Sequence, residues 1–217
     1  MPTTGKRGKY LGFVAHEIKN PLATALWSCD LLKRMEGSDR TGERADKMLD
    51  VSLRALRRMR RLIDDYFTIE RLLEQGYELR RERVALKDLV DQCVQVLRDK
   101  DGIATESWSV DIGEVVVAGD AEMLRRGLRA VLEHLARAAP KPRLSLIGRA
   151  DGDTASLTVR AETPPSPLVP PIPEERPSGD PLGAVLGYAL TEHVLAAHGG
   201  KLEERDGALQ LTLPVAR

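Results

Sequence analysis

The residues best suited to chemistry lie near the N-terminus, in Leu11-Gly12-Phe13-Val14-Ala15-His16-Glu17-Ile18-Lys19-Asn20-Pro21-Leu22. A histidine stands beside a carboxylate, an amide follows at Asn20, and Pro21 interrupts an otherwise helical pattern. On a helix His16 and Asn20 share one face, with Glu17 rotated beside them. A neutral imidazole nitrogen is a good phosphoryl acceptor near neutral pH. A neighbouring carboxylate can take the ring proton and hold the correct tautomer. A lone histidine on a helix is more often structural than reactive, so His16-Glu17 alone would decide little. The run from His16 to Leu22 is far more specific.

Such a constellation needs a rigid carrier. From about Lys6 to Met35 the apolar positions Leu11, Val14, Ile18, Leu22, Ala25, Cys29 and Leu32 recur at steps of three and four, which predicts a helix with a heptad-like seam. Pro21 lacks a donor and should bend that helix just below the histidine. Glu36 to Gly42 reads as a turn, with an N-cap at Ser38 or Thr41. A second helix follows to about Gln75, striped by Ala45, Met48, Val51 or Ser52, Ala55, Met59, Leu62, Tyr66, Ile69 and Leu73, and stopped at Gly76. Two such helices cannot bury both of their faces alone. Two copies making a four-helix bundle would solve this, so a homodimer is expected. Arg54, Arg57, Arg58, Arg60 and Arg61 make the second helix basic, either as a solvated face or as a surface that steers an acidic partner.

Composition narrows the classes. The 217 residues carry 33 basic and 33 acidic side chains, so no net charge draws the chain to nucleic acid or an anionic membrane. Aromatic residues make up only 4%, too few for a base-stacking platform. No apolar run approaches the ~18 residues of a membrane span, and no secretory signal opens the chain. We therefore expect no membrane contact and a cytoplasmic location. Cys29 and Cys93 sit in apolar helical patterns and are expected to be buried thiols without metal-ligand spacing.

After Gly76 the pattern changes. Tyr77-Glu78-Leu79 reads as a short strand, Val84 to Leu97 as an amphipathic helix, and Trp108 to Ile112 and Val115 to Ala118 as strands. Gly119-Asp120 opens a helix to about Ala139. Leu144 to Ile147 and Ala155 to Ala161 are strands turned at Asp151-Gly152, and a helix from Gly183 to Ala197 stops at His198-Gly199-Gly200. A strand pair, Lys201 to Glu204 and Ala208 to Leu213, is turned at Asp206-Gly207.

His16-Glu17-Ile18-Lys19-Asn20-Pro21-Leu22 resembles the H-box of sensor histidine kinases, where the histidine is phosphorylated and passes phosphate to a response-regulator aspartate. Gly119-Asp120, Ala197-His198-Gly199-Gly200 and Leu211-Thr212-Leu213-Pro214 fall where that family has its landmarks, so the resemblance covers essentially the whole chain. It implies a helical hairpin, residues 1–76, forming a dimeric four-helix bundle. Residues 77–217 would follow as a kinase-type, ATPase-like α/β sandwich.

The resemblance fails at the nucleotide contacts. The family's helix after Gly119-Asp120 carries asparagines for magnesium and phosphate; here Ala130 and His134 stand at those positions, with Glu133 as a polar partner. The family's Asp-x-Gly-x-Gly turn is replaced by Ala161-Glu162-Thr163-Pro164-Pro165, and proline cannot stand in for a glycine that lets backbone approach a nucleotide. Residues 164 to 181 hold eight of the 13 prolines, a composition for a stiff extended or disordered segment. In Gly183-Ala184-Val185-Leu186-Gly187 a valine takes the middle glycine of the family's phosphate turn, leaving Gly183 and Gly187 as vestiges. His134, His193 and His198 lack ligand spacing and read as packing or surface residues.

The resulting expectation is a dimeric histidine phosphotransferase. His16 would be the nucleophile, Glu17 the proton acceptor and orienter, and Asn20 the group that positions the receiver's acyl phosphate or a water. No cofactor would be bound by this chain: Mg2+ would arrive on the response-regulator receiver, and ATP binding would be lost. The alternatives are a divergent ATP-dependent kinase core and a non-catalytic dimeric scaffold.

Overall fold

The computed structural model describes residues 4–74, 78–170 and 182–216; the side chains of 4–13, 16, 17, 38 and 182–184 lie outside that description. The chain divides into two compact units, Met1–Thr68 and Ile69–Arg217.

The first unit is a hairpin of two long helices, α1 (Thr4–Arg34) and α2 (Glu43–Leu73), joined through a 3-10 turn at Gly37–Thr41. α1 runs unbroken through Pro21, which is buried. The hydroxyl of Thr24 donates to the Asn20 carbonyl at 3.1 Å in the turn that follows. Small residues bring the helices together: Ala25 and Ser28 on α1 and Ala45, Ser52 and Ala55 on α2 are buried, and the Ser52 hydroxyl donates to the Ala25 carbonyl at 3.4 Å. Val14 and Leu62 extend this narrow interior. The expected α2 stripe is largely the inner face, with Met48, Val51, Met59 and Tyr66 half-buried, although Leu73 is exposed.

Two expectations for the hairpin are corrected. Leu22 is exposed because Ala25 and Ser28 take the interior, and Cys29 is exposed at the edge of that interior, its Sγ 3.6 Å from the Ser52 hydroxyl. The N-cap is neither Ser38 nor Thr41: both lie within the 3-10 turn, and α2 opens behind Gly42, whose carbonyl accepts from the Ala45 and Asp46 N–H groups.

The second unit pairs helices with a mixed sheet. Its elements are β1 (Glu82–Ala85), α3 (Leu86–Asp101), β2 (Ser109–Ile112), β3 (Val116–Gly119), α4 (Ala121–Ala136), β4 (Leu144–Asp151), β5 (Thr154–Ala161), α5 (Leu182–Ala197), β6 (Lys201–Arg205) and β7 (Ala208–Pro214). The five-stranded sheet has the order β2-β4-β5-β7-β6, parallel at β2–β4 and antiparallel elsewhere; β1 and β3 form a separate antiparallel pair. Alternation along β5 sends Ala155, Leu157, Val159 and Ala161 inward. Leu89, Leu128, Leu195, Leu157 and Leu211 meet around a small apolar cavity between the helices and that sheet face. Fully burying a leucine contributes about 1.5–3 kcal/mol, and Leu97, Leu132, Leu135, Leu146, Leu190 and Leu209 are all sealed from solvent.

The turns follow their residues. Asp206 and Gly207 both take positive φ, 52° and 69°, as a two-residue hairpin with an Asp-Gly pair requires. The β4–β5 loop sits one residue later than expected, at Gly152-Asp153, with Gly152 at φ 57°. α5 ends in a Schellman motif: Gly199 is left-handed at φ 77°, its N–H reaches the Ala196 carbonyl, and the Gly200 N–H reaches Leu195 at 2.8 Å.

The strand expected at residues 77–79 is corrected. Glu78 to Arg80 are irregular and Tyr77 lies outside the described residues. The first strand is β1, and Val84, expected to open a helix, pairs with Val117 instead. That pairing holds the backbone extended until Leu86, whose N–H donates to the Val115 carbonyl.

Candidate functional site

α1 carries His16, Glu17 and Asn20 on continuous helical backbone, so positions 16 and 20 share a face. The side chains of His16 and Glu17 lie outside the described residues; those of Lys19 and Asn20 are exposed, while Val14 and Pro21 are buried. Pro21 also removes the N–H that would have served the carbonyl four residues back, that of Glu17.

The second candidate region is the joint between α4 and α5. Asp120 caps α4, its carboxylate accepting from the Met123 N–H at 3.1 Å, an arrangement contributing about 1 kcal/mol. The same carboxylate accepts from the Arg80 N–H, and the Asp120 N–H donates to Nε2 of His198 at 2.9 Å. Nδ1 of His198 must then carry the proton and donate to the Val194 carbonyl at 2.6 Å. This fully buried ring is neutral, and its burial holds its pKa below the ordinary histidine range. His198 is therefore a clip joining the start of α4 to the end of α5.

Further along, the two helices interlock through small residues. A Cβ on Gly187 would meet that of Ala130 at 3.2 Å, and the Thr191 hydroxyl lies 2.8 Å from both the Gly127 and Gly187 carbonyls. Val185 is buried at 3% exposure. Gly183 and Gly187 lie within helical backbone, because α5 begins at Leu182. Glu133 is ion-paired with Arg137 at 2.6 Å. Nε2 of His134 lies 3.0 Å from the Leu168 carbonyl, and burial lowers the pKa of this ring despite that bond.

At the positions where the resembled family holds magnesium and phosphate, the side chains present are Ala130, Glu133 and His134. A hard cation wants oxygen ligands, but Ala130 offers none, the Glu133 carboxylate is held by an arginine, and His134 is bonded to the chain itself. Among the described residues no cluster of three His, Cys, Asp or Glu side chains could hold a metal ion.

Residues 6–75 match the family model of the His Kinase A (phospho-acceptor) domain. That match covers the hairpin, and over most of its length the chain is similar to sensor histidine kinases. It is 24% identical over 199 residues to the sensor protein VanS of Enterococcus faecium, an alignment spanning 88% of this chain and 51% of that protein. The chain thus spans about half the length of this curated relative. In fold it is similar to the Acinetobacter baumannii histidine kinase AdeS, with a TM-score of 0.65 at 16% identity over 93% of this chain and 97% of that one. It is also similar to full-length ShkA, crystallised in complex with AMPPNP, with a TM-score of 0.57 at 21% identity over 95% of this chain and 45% of that one. The kinase-type architecture, a helical hairpin followed by an α/β sheet domain, is as the sequence implied.

Sequence reasoning placed His134 at one of the resembled family's amide positions and read it as a packing or surface residue, and it missed the bond to Leu168. No local signal links two residues 34 positions apart. The Asp120 cap, by contrast, is legible as an aspartate directly before an apolar-periodic helix.

Proposed function

We propose that this chain is a two-component phosphotransfer core in which His16 carries the phosphoryl group. The observation that carries the reading is the match of residues 6–75 to a phospho-acceptor domain, with His16 set one turn before an exposed Asn20 on α1. An imidazole nitrogen of His16 attacks the phosphorus of a receiver's aspartyl phosphate. The N–P bond forms as the P–O bond breaks, the aspartate leaves as its carboxylate, and Glu17 takes the ring proton. Run backwards, the same step loads a receiver. Mg2+ resides on the receiver, and Asn20 positions the acyl phosphate or, in dephosphorylation, a water.

The working unit is a homodimer. Leu22, Leu26 and Trp27 on α1 and Leu49, Leu53, Leu56, Ile63 and Phe67 on α2 are exposed in the single chain, and on α2 they recur at heptad-like steps. A second hairpin would bury this row in a four-helix bundle. Arg54, Arg57 and Arg60 are exposed on α2 and available to steer an acidic receiver.

The source of the phosphoryl group separates two readings. The family relationships support a divergent sensor histidine kinase core more directly, with ATP as donor. The buried Val185, the Ala130–Gly187 contact and the engaged Glu133 and His134 favour the narrower one, a receiver-fed phosphotransferase. Purified protein is offered labelled ATP alone, then a labelled phospho-receiver, and acid-labile label is followed in wild type and His16→Gln. Label from ATP that vanishes in the variant supports the kinase; label from the receiver alone supports the relay. Label from neither sinks the proposal and leaves a dimeric scaffold.

A further inference from the structure

The segment after β5 is closed down on the end of α4. Beyond Ala161 the chain passes through exposed Glu162, Thr163 and Pro164 and then turns inward, so that Leu168 is 8% exposed and Pro170 is buried. Its start is tied to Arg143, whose carbonyl accepts from the Glu162 N–H at 3.0 Å, and its inward end is fastened to α4 by a bond between Nε2 of His134, in the last turn of that helix, and the Leu168 carbonyl at 3.0 Å. The carbonyl can only accept, so Nε2 carries the proton and donates. An apolar anchor and a hydrogen bond thus meet at the same residue.

We propose that residues 162–170 form a strap that is itself the occupant of the C-terminal end of α4, clasped there by His134 and the Leu168 side chain. His134 is a positioning residue that holds the strap. This inference rests on the reading that α4 is the altered nucleotide helix, but not on His16 carrying phosphate. Proline suits the role: Pro164, Pro165, Pro167 and Pro170 reduce the conformations the free strap can sample, so less entropy is lost when it seats. The clasp also gives the half-buried imidazole a hydrogen-bond partner.

The test places a thiol at the anchor. Leu168→Cys is made in full-length protein carrying Cys29→Ser, because Cys29 is exposed, whereas Cys93 is buried with its thiol pKa pushed up to about 12. Modification of the introduced thiol by a cysteine reagent then reports strap opening. We expect labelling at least ~10-fold slower than at a control thiol placed on the exposed Ser107, Ser107→Cys, in the same background. Adding His134→Ala should raise the rate about 10-fold, while His134→Gln, which keeps an N–H donor, should restore most of the protection. Saturating MgATP should leave the rate of the Leu168→Cys protein with its native His134 unchanged. Labelling as fast as the control, no effect of His134→Ala, or a rate that MgATP slows or accelerates would each overturn the proposal. None of these outcomes depends on phosphate reaching His16, so the strap and the phosphotransfer reading fail separately.

Discussion

The hairpin and the sheet domain treat large apolar side chains in opposite ways. In the hairpin the interior is built from Ala25, Ser28, Ala45, Ser52 and Ala55, while Trp27 and Phe67 stand 60% and 57% exposed. In the sheet domain the interior takes Leu97, Leu132, Leu146, Leu190 and Leu209, and from Val84 onward only Val110 and Ile147 remain as exposed large apolar residues among those described. A single hairpin therefore leaves its large apolar side chains exposed, whereas the sheet domain has buried nearly all of its own among those described.

The contrast breaks most completely at position 16. His16→Gln should remove all acid-labile phosphoryl label, whichever donor supplies it, while circular dichroism and thermal unfolding stay close to wild type. Loss of label together with loss of the helical signal would assign His16 to folding instead.

Next in size is the outer row. Leu53→Glu with Leu56→Glu should weaken self-association by at least ~100-fold, because each leucine withdrawn from a bundle forfeits about 1.5–3 kcal/mol in each copy. Sedimentation should then give a monomer at concentrations where wild type is a dimer. An unchanged dimer would show that the outer row is not what joins two copies.

A matched pair of truncations sharpens the comparison within one chain. Leu190→Ala in the sheet domain should cost about 2–5 kcal/mol of that domain's stability in denaturant titration. Trp27→Ala, made in the monomeric Leu53/Leu56 variant, should cost less than about 1 kcal/mol. Equal costs would mean that the hairpin buries Trp27 by itself.

The smallest effect is a pH slope. His198 is neutral in the fold, accepting from the Asp120 N–H, and its pKa lies below the ordinary 6.5. Below that value the unfolded chain binds a proton that the folded ring refuses, so stability should fall with decreasing pH and level off once the folded ring also titrates. His134 contributes in the same direction. Thermal midpoints measured through this window should decline in wild type and decline less steeply in His198→Gln. A flat wild-type profile would contradict the neutral clip.

Much of this was legible from residue order alone, because local physics governs it. Helical periodicity located α1, α2, α4 and α5; Asp206-Gly207 announced its turn; and His198-Gly199-Gly200 announced the end of α5. The seven residues from His16 to Leu22 carried most of the resemblance to histidine kinases. Sequence could not decide which of two apolar rows on the hairpin faces inward, since both have helical spacing. Close approach of the helices selected the small residues, and so left Leu22 outside and Cys29 at the edge. Nor could it place β1, whose extended backbone from Glu82 to Ala85 is imposed by pairing with β3 some thirty residues on. The same holds along α4. The missing asparagines could be read directly, but the contact of Ala130 with Gly187 and of His134 with Leu168 arises only when distant segments pack. Spacing along a chain fixes what a segment prefers; which of its faces is used depends on the surfaces that reach it.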